Sequence, residues 1–451
     1  MNRYCILFFL AGLISCTKYL DKKPDSSLTV PTSLNDLQAL LDYSFVINQT
    51  QSPSFGETSS DDYFMPDEML FTFPQEYQGI YYWQRGDYGI GNDWSHCYFV
   101  VYYANFCLEG LQPLDPKLNP DSWNRVKGSA LFLRSYNFLN LLWTFAKAYD
   151  TATAGSDLGI ALKLKNDFNV PTVRASAEAC YQQVLTDAKL AAELLPVMAS
   201  HPFRPSKTAA YGLLARAYLS MRRYDSAYLY ADKALQLYST LMDYNNDPDI
   251  NWGSSQGNSP FKRFNRETIF YTEMNTNASL SLPFYSKVDT LLLASYAPDD
   301  LRRRAYFTTG EVYPVYQGSY AGVYYAYFTG IATDELYLMR GECLARLGQV
   351  GAALENLNTL LLTRWNNAVP YVPVAETDAA VVVDRFLEER RKSLVYRGLR
   401  WMDIKRLNKE NRQIILHRLI AGRSYTLEPN APYYALPLPI DIIETAGIPQ
   451  N

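Results

Sequence analysis

This sequence predicts a mainly α-helical chain, with tetratricopeptide-like helical repeats packed against a loop-rich irregular region. Three observations lead there. Helical periodicity of apolar residues runs through about 94–239 and returns near 334. Two segments place small residues where the paired helices of a repeat must cross. Before and between them lie stretches rich in Gly, Pro, Asn and Tyr, which break any long element. The 451 residues are 48% hydrophobic and 20% charged, the balance of a globular chain.

At the start, Met1-Asn2-Arg3 carries one positive charge ahead of an apolar run from Tyr4 to Ile14. That run is too short for the roughly 20 residues of a membrane-spanning helix and reads as the core of a signal peptide. It ends in Leu13-Ile14-Ser15-Cys16, which resembles a bacterial lipobox, so Cys16 is the expected lipidation site. The expected organisation is a signal peptide over 1–15, a lipid-anchored tether over 16–30, and a single domain over 31–451.

Within the domain, Ser33-Leu34-Asn35-Asp36 reads as a capping box ahead of a short helix to Leu41. Residues 44–93 are turn-rich and aromatic, and predict ordered loops. Long helices follow at about 94–111, 121–149, 174–195, 205–221 and 224–239. In 208–238, Ala215, Tyr218, Ala227 and Ala234 fall at the offsets of a tetratricopeptide unit. Tyr337, Gly341, Leu344, Gly348, Ala353 and Leu357 repeat the pattern in 334–364. Two clear units are too few for a free-standing solenoid, so diverged units or other structure must cover their ends. Residues 240–333 return to loops, with Glu267 to Tyr271 as a short strand. A last long helix is expected over about 378–397.

Composition narrows the chemistry. Basic and acidic residues number 42 and 46, a net charge of -4, without the basic stripe of a nucleic-acid binder. Tyr (37) and Trp (7) offer many flat faces with polar tips, whereas only 3 His are present. Cys97, Cys107, Cys180 and Cys343 show no zinc spacing, and buried free thiols are expected. Gly253-Ser254-Ser255-Gln256-Gly257 matches a nucleophile elbow but lacks the strand and helix that expose Ser255, so it reads as a loop coincidence. Asp247 to Asn251 begins like a calcium loop, yet Trp252 and Asn258 occupy the positions that an EF-hand gives to Gly and Glu. A calcium site of another kind stays open. No P-loop or HExxH stretch occurs, and no cofactor, metal or catalytic residue is expected.

The C-terminal third carries a resemblance. Glu389-Arg390-Arg391-Lys392-Ser393-Leu394 and Arg397-Gly398-Leu399-Arg400-Trp401-Met402-Asp403-Ile404-Lys405-Arg406 resemble a signature of the SusD/RagB family of outer-membrane lipoproteins. Leu20 to Pro24, Ala104-Asn105, Ser206 to Ala210 and the close Leu436-Pro437-Leu438-Pro439 agree in order. Ser393 and Arg397 depart from it, standing where the family usually has Glu, a change expected to weaken local ion pairing. Glu389, Arg390, Arg400 and Asp403 are expected to form a partly buried structural network.

The resemblance implies four tetratricopeptide-like units and a lid-like role over a SusC-like TonB-dependent transporter. It also implies outer-membrane anchoring toward the cell exterior, and capture of an oligomeric nutrient without catalysis. A glycan suits the loop aromatics best; a peptide-binding member of the family, a secreted glycan hydrolase and a purely structural repeat adaptor are the alternatives. Sugar stacking needs aromatic faces beside Asn, Asp, Arg or Gln. Tyr82, Trp83, Arg85, Asp93 and Trp94 form one such group. The 306–328 loop supplies a second, with Tyr316, Tyr320 and Tyr324 beside Tyr313, Gln317 and Tyr325.

Overall fold

The computed structural model describes residues 31–49, 51–89, 92–167, 169–254, 258–275 and 280–451. Cys16 and Ser255 lie outside them. The described helices of eight residues or more are α1 (Leu34–Leu41), α2 (Asp93–Gly110), α3 (Pro120–Phe145), α4 (Ala177–Leu194), α5 (Lys207–Ser220), α6 (Tyr224–Leu237), α7 (Thr333–Arg346), α8 (Val350–Leu362), α9 (Ala379–Ser393) and α10 (Arg400–Asn408).

Local chemistry sets their starts. Ser33 Oγ accepts from Asp36 N at 3.2 Å, completing the expected capping box of α1. The Asn92, Ser176 and Ser206 side chains cap α2, α4 and α5. Pro120 opens α3 at a position that needs no amide proton.

Helices α2 to α8 pack in chain order, each on the next, with α9 laid against α7 and α1 against α2 and α3. Small residues allow this. Ala215, Ala227, Ala231 and Ala234 are fully buried where α5 and α6 meet. At Gly341 a Cβ would come within 2.2 Å of the Phe386 ring, so only glycine lets α9 approach α7 so closely.

Polar pins lock the array. Arg134 on α3 makes a two-pronged bond to Asp187 of α4, both at 2.8 Å, and donates to Asn105 Oδ1 of α2 at 2.9 Å. Asn105, part of the family-like helix motif, therefore has a structural partner. Arg216 of α5 holds Glu335 of α7 at 2.7 and 2.6 Å and also reaches the Thr329 and Gly330 carbonyls. That side chain clamps the repeats to the loop region.

The loop region has its own core. Four antiparallel two-stranded ribbons run through the described chain: β1 (Tyr63–Phe64) with β5 (Lys287–Val288), β2 (Leu158–Ala161) with β3 (Arg174–Ser176), β4 (Thr268–Phe270) with β6 (Ile331–Ala332), and β7 (Leu416–Ile420) with β8 (Arg423–Leu427). Around β1, β4, β5 and β6 packs a cluster dominated by Tyr and Phe, among them Tyr63, Tyr244, Phe261, Tyr271, Tyr306, Tyr316, Tyr320 and Tyr327. Several of the cluster's hydroxyls are satisfied internally. Tyr320 donates to Glu267 Oε2 at 2.7 Å, Tyr327 to Ser281 O at 2.6 Å and Tyr296 to Lys392 O at 2.8 Å. Much of the aromatic excess is thus a second core and not a binding surface.

The C-terminal signature is structural, as expected, but several of its partners lie far along the chain. Arg390 pairs with Asp403 at 2.8 Å, Glu389 with Arg302 at 2.6 Å and Arg400 with Asp61 at 2.7 Å. The two departures do not thin the network. Arg397 pairs with buried Asp334 at 2.9 Å, and Ser393 Oγ accepts from Arg302 Nη1 at 2.7 Å. The expected loss of ion pairing is corrected at Arg397, which pairs with Asp334 from another segment; Ser393 instead accepts a hydrogen bond from Arg302.

Candidate ligand groove

On the loop face, segments around Gln49, 251–254, 258–263, Glu273 and 321–326 enclose an open groove of about 950 Å³. Backbone bridges hold it in shape. Asn258 pairs with Val323, Ile250 with Phe261 and Glu273 with Phe328. Asn251 N donates to Pro260 O at 2.7 Å and Ser259 N to Gly322 O at 3.2 Å. Gly322 sits at φ +80°, and a Cβ there would press on Arg263 N at 3.1 Å, which favours glycine.

Amides and hydroxyls of Gln49, Asn251, Ser254, Asn258 and Ser259 line the groove. Its charges are internally matched. Arg263 Nη2 bonds Glu273 Oε1 at 2.9 Å, and Lys262 lies 3.5 Å from Asp249. The Arg263 guanidinium also rests over the Phe203, Phe264 and Tyr271 rings, 4.8–5.3 Å from their centroids. Tyr271 donates its hydroxyl to Glu273; burial and that carboxylate raise its pKa, so it stays a donor.

Aromatic area is available at the rim. Tyr325 is 49% exposed, and half-buried Tyr324 bridges it to Phe284, 52% exposed, with centroids 5.7 and 5.1 Å apart. Exposed rings next to amides and hydroxyls suit a molecule with an apolar C–H face and many hydroxyls.

The sequence-derived residues divide. Tyr324 stands beside the groove. Tyr82 is half-buried against Tyr425 at 4.9 Å, and exposed Arg85 bonds the Asn451 carbonyl; neither lines the groove. The stacking roles expected of Trp83, Trp94, Tyr316 and Tyr320 are corrected by burial. Trp83 is 8% exposed, with its indole N–H on Ser59 O at 3.0 Å and the Arg418 guanidinium against its face. Trp94 is 3% exposed and packs on Tyr98 and Phe145. Tyr316 stacks on Tyr396 at 4.5 Å, and Tyr320 sits in the tyrosine core.

Asp93 is also withdrawn. It is fully buried and accepts the Ser54 and Phe55 amides at 2.8 and 2.7 Å, and burial pushes it up to about 7. The groove residues missed by sequence reasoning, such as Gln49, Asn251, Arg263 and Glu273, are scattered polar residues with no shared spacing.

Known proteins match this architecture. A SusD-like family model, described as "Starch-binding associating with outer membrane", matches residues 18–219. Solved structures extend the likeness over the rest of the chain. A putative sugar binding protein from Bacteroides vulgatus is 19% identical at a TM-score of 0.73, covering 94% of this chain and 99% of its own. Over residues 18–219 the chain matches the SusD-like family model, and over nearly its whole length it has the SusD-like fold.

A SusD superfamily protein from Bacteroides thetaiotaomicron is 20% identical at a TM-score of 0.72, covering 93% and 99%. Another from Bacteroides fragilis is 18% identical at 0.73, covering 93% and 100%. At such identities these structures speak for the SusD-like fold. No curated protein matches the sequence. Among the described residues no helix is long and apolar enough to cross a membrane, and no cluster of His, Cys, Asp or Glu could hold a metal ion.

Proposed function

We propose that this SusD-like chain captures an oligomeric nutrient, a glycan, in the loop-face groove and delivers it to a SusC-like TonB-dependent transporter without altering it. The observation that supports this reading is the groove itself. It is open, held in shape by backbone bridges, lined by amides and hydroxyls, and rimmed by Tyr324 and Tyr325. Its lining carboxylate, Glu273, is engaged by Arg263 and Tyr271, which suits binding better than acid–base work. The description of the family model as starch-binding and outer-membrane associated points the same way. Attachment through a lipid on Cys16, a 16–30 tether and an outward-facing 31–451 domain complete the proposal. Tyr82 and Arg85 would then serve at most a peripheral contact.

Affinity electrophoresis through gels containing soluble polysaccharides tests the binding half. Retardation by at least one glycan, lost in Tyr325→Ala without loss of helical content, is expected. A set of retarding glycans unaffected by Tyr325→Ala would move the site elsewhere. A mild-detergent pulldown from the native outer membrane tests the partner, and a stoichiometric large β-barrel is expected.

A further inference from the structure

We propose that the groove is one half of a longer site, whose other half holds an acidic group of the ligand, a uronate carboxylate or a sulfate ester, on Arg303 and Arg304. This rests on the groove being the glycan site.

The short helix Leu301–Tyr306 carries three consecutive arginines with different fates. Arg302 is buried and saturated by Asp300 and Glu389, both at 2.6 Å. Arg303 and Arg304 are exposed and form no ion pair among the described residues. Both line a cleft of about 680 Å³ with Phe307, Thr308, Thr309 and Asn366.

Two carboxylates, Asp300 and Glu311, also line the cleft, each with a cation of its own nearby. Asp300 is held by Arg302, Asp299 accepts from Asn366 Nδ2 at 3.3 Å, and Glu311 lies 4.0 Å from Lys287. Two guanidinium forks beside hydroxyls and an apolar floor match an oxyanion on a sugar ring.

One contact ties the cleft to the segment that carries part of the groove. The Arg304 guanidinium lies over the Trp252 ring at 4.5 Å, and Trp252 sits in sequence between Asn251 and Gly253, both of which line the groove. The indole is fixed by its N–H on Tyr244 O at 3.1 Å, and Gln317 Nε2 holds the Arg304 carbonyl at 3.3 Å. The groove therefore reads the neutral part of a chain, since its own cations are already paired, while the arginine cleft supplies unmatched positive charge. Its ligand class is an acidic oligosaccharide.

The full-length chain, wild type and Arg303→Gln/Arg304→Gln, is applied to an array of neutral, uronate-containing and sulfated oligosaccharides. Both positions are exposed, so the variant should fold; its melting curve is the control. Wild type is expected to favour acidic glycans by about tenfold over neutral analogues, the worth of one charge-assisted contact. That preference should vanish in the variant and shrink as NaCl rises from about 50 to about 500 mM. The uronate and sulfate arms tell which acid is read. Binding confined to neutral glycans, or an acidic preference untouched by the variant, overturns the proposal while leaving the groove intact; an array with no binding ends both.

Discussion

Arg397 offers the sharpest quantitative test of the fold. The resemblance leads one to expect Glu at this position, yet the structure places a guanidinium there, 4% exposed, 2.9 Å from a fully buried Asp334 and 4.2 Å from the Tyr320 ring. Removing one member of a buried pair strands the other, at about 3–5 kcal/mol, whereas removing both at once is often near neutral. Arg397→Met and Asp334→Asn should therefore each cost about 3 kcal/mol or more. The double variant should lose much less than their sum, with a coupling of about 2 kcal/mol or more. Arg397→Glu, which sets two carboxylates side by side in the core, should be the worst of the set. Urea unfolding followed by circular dichroism reads these as midpoint shifts at a common slope. Singles that cost under about 1 kcal/mol, or a strictly additive double, would refute the claim that this departure is built into the core.

Further predictions follow from other sites. Burial and the neighbouring Asp62 hold Glu57 at about 8, against an ordinary 4.5, and Asp93 is likewise raised to about 7. In both cases the folded state keeps a proton that the unfolded chain has lost. This contribution should be fully present below about pH 4 and be lost as pH rises through 8, by up to about 5 kcal/mol from Glu57 alone. Glu57→Gln should flatten the melting temperature between pH 5 and 8.5; an unchanged slope counts against the buried neutral acid. Gly341→Ala should destabilise by about 1–3 kcal/mol through overpacking against Phe386, with partial recovery in Gly341→Ala/Phe386→Leu. Arg134→Ala should uncouple α2, α3 and α4 and cost about 3–5 kcal/mol, because Asp187 is left buried without its partner.

Most helices were legible because their signals are local. The Ser33 capping box, the breaks around Pro196 and Pro205, and the small residues of α5 and α6 all act within a few turns. Expected bounds such as 94–111 and 224–239 fall close to Asp93–Gly110 and Tyr224–Leu237. The long helix expected to 397 stops at Ser393, where the chain turns through Tyr396 and Gly398 at positive φ. Residues 44–93 hold several short helices within the expected loops.

The site was much less legible. A tyrosine looks the same in sequence whether its hydroxyl meets Glu267 inside the protein or a ligand outside. What separates Tyr320 from Tyr325 is a contact more than fifty residues away. The polar groove residues converge from four distant segments, so no spacing could announce them. Ser393 and Arg397 show the same limit, because their compensating partners Arg302 and Asp334 lie outside the motif that made them look anomalous.

The tyrosine core carries a consequence for how this surface can diversify. Several of its phenols act as internal struts, tied to a carbonyl or carboxylate as Tyr327 is to Ser281 and Tyr320 to Glu267, so the scaffold beneath the groove is braced from below. The groove's own amides and hydroxyls sit on connecting segments clipped together through main-chain bridges, which constrain side chains little outside Gly322. Substitutions at Asn251, Ser254, Asn258 and Tyr325 can therefore change the groove's lining while the frame stays set. A lineage of such chains could alter what the groove presents with few substitutions and no refolding.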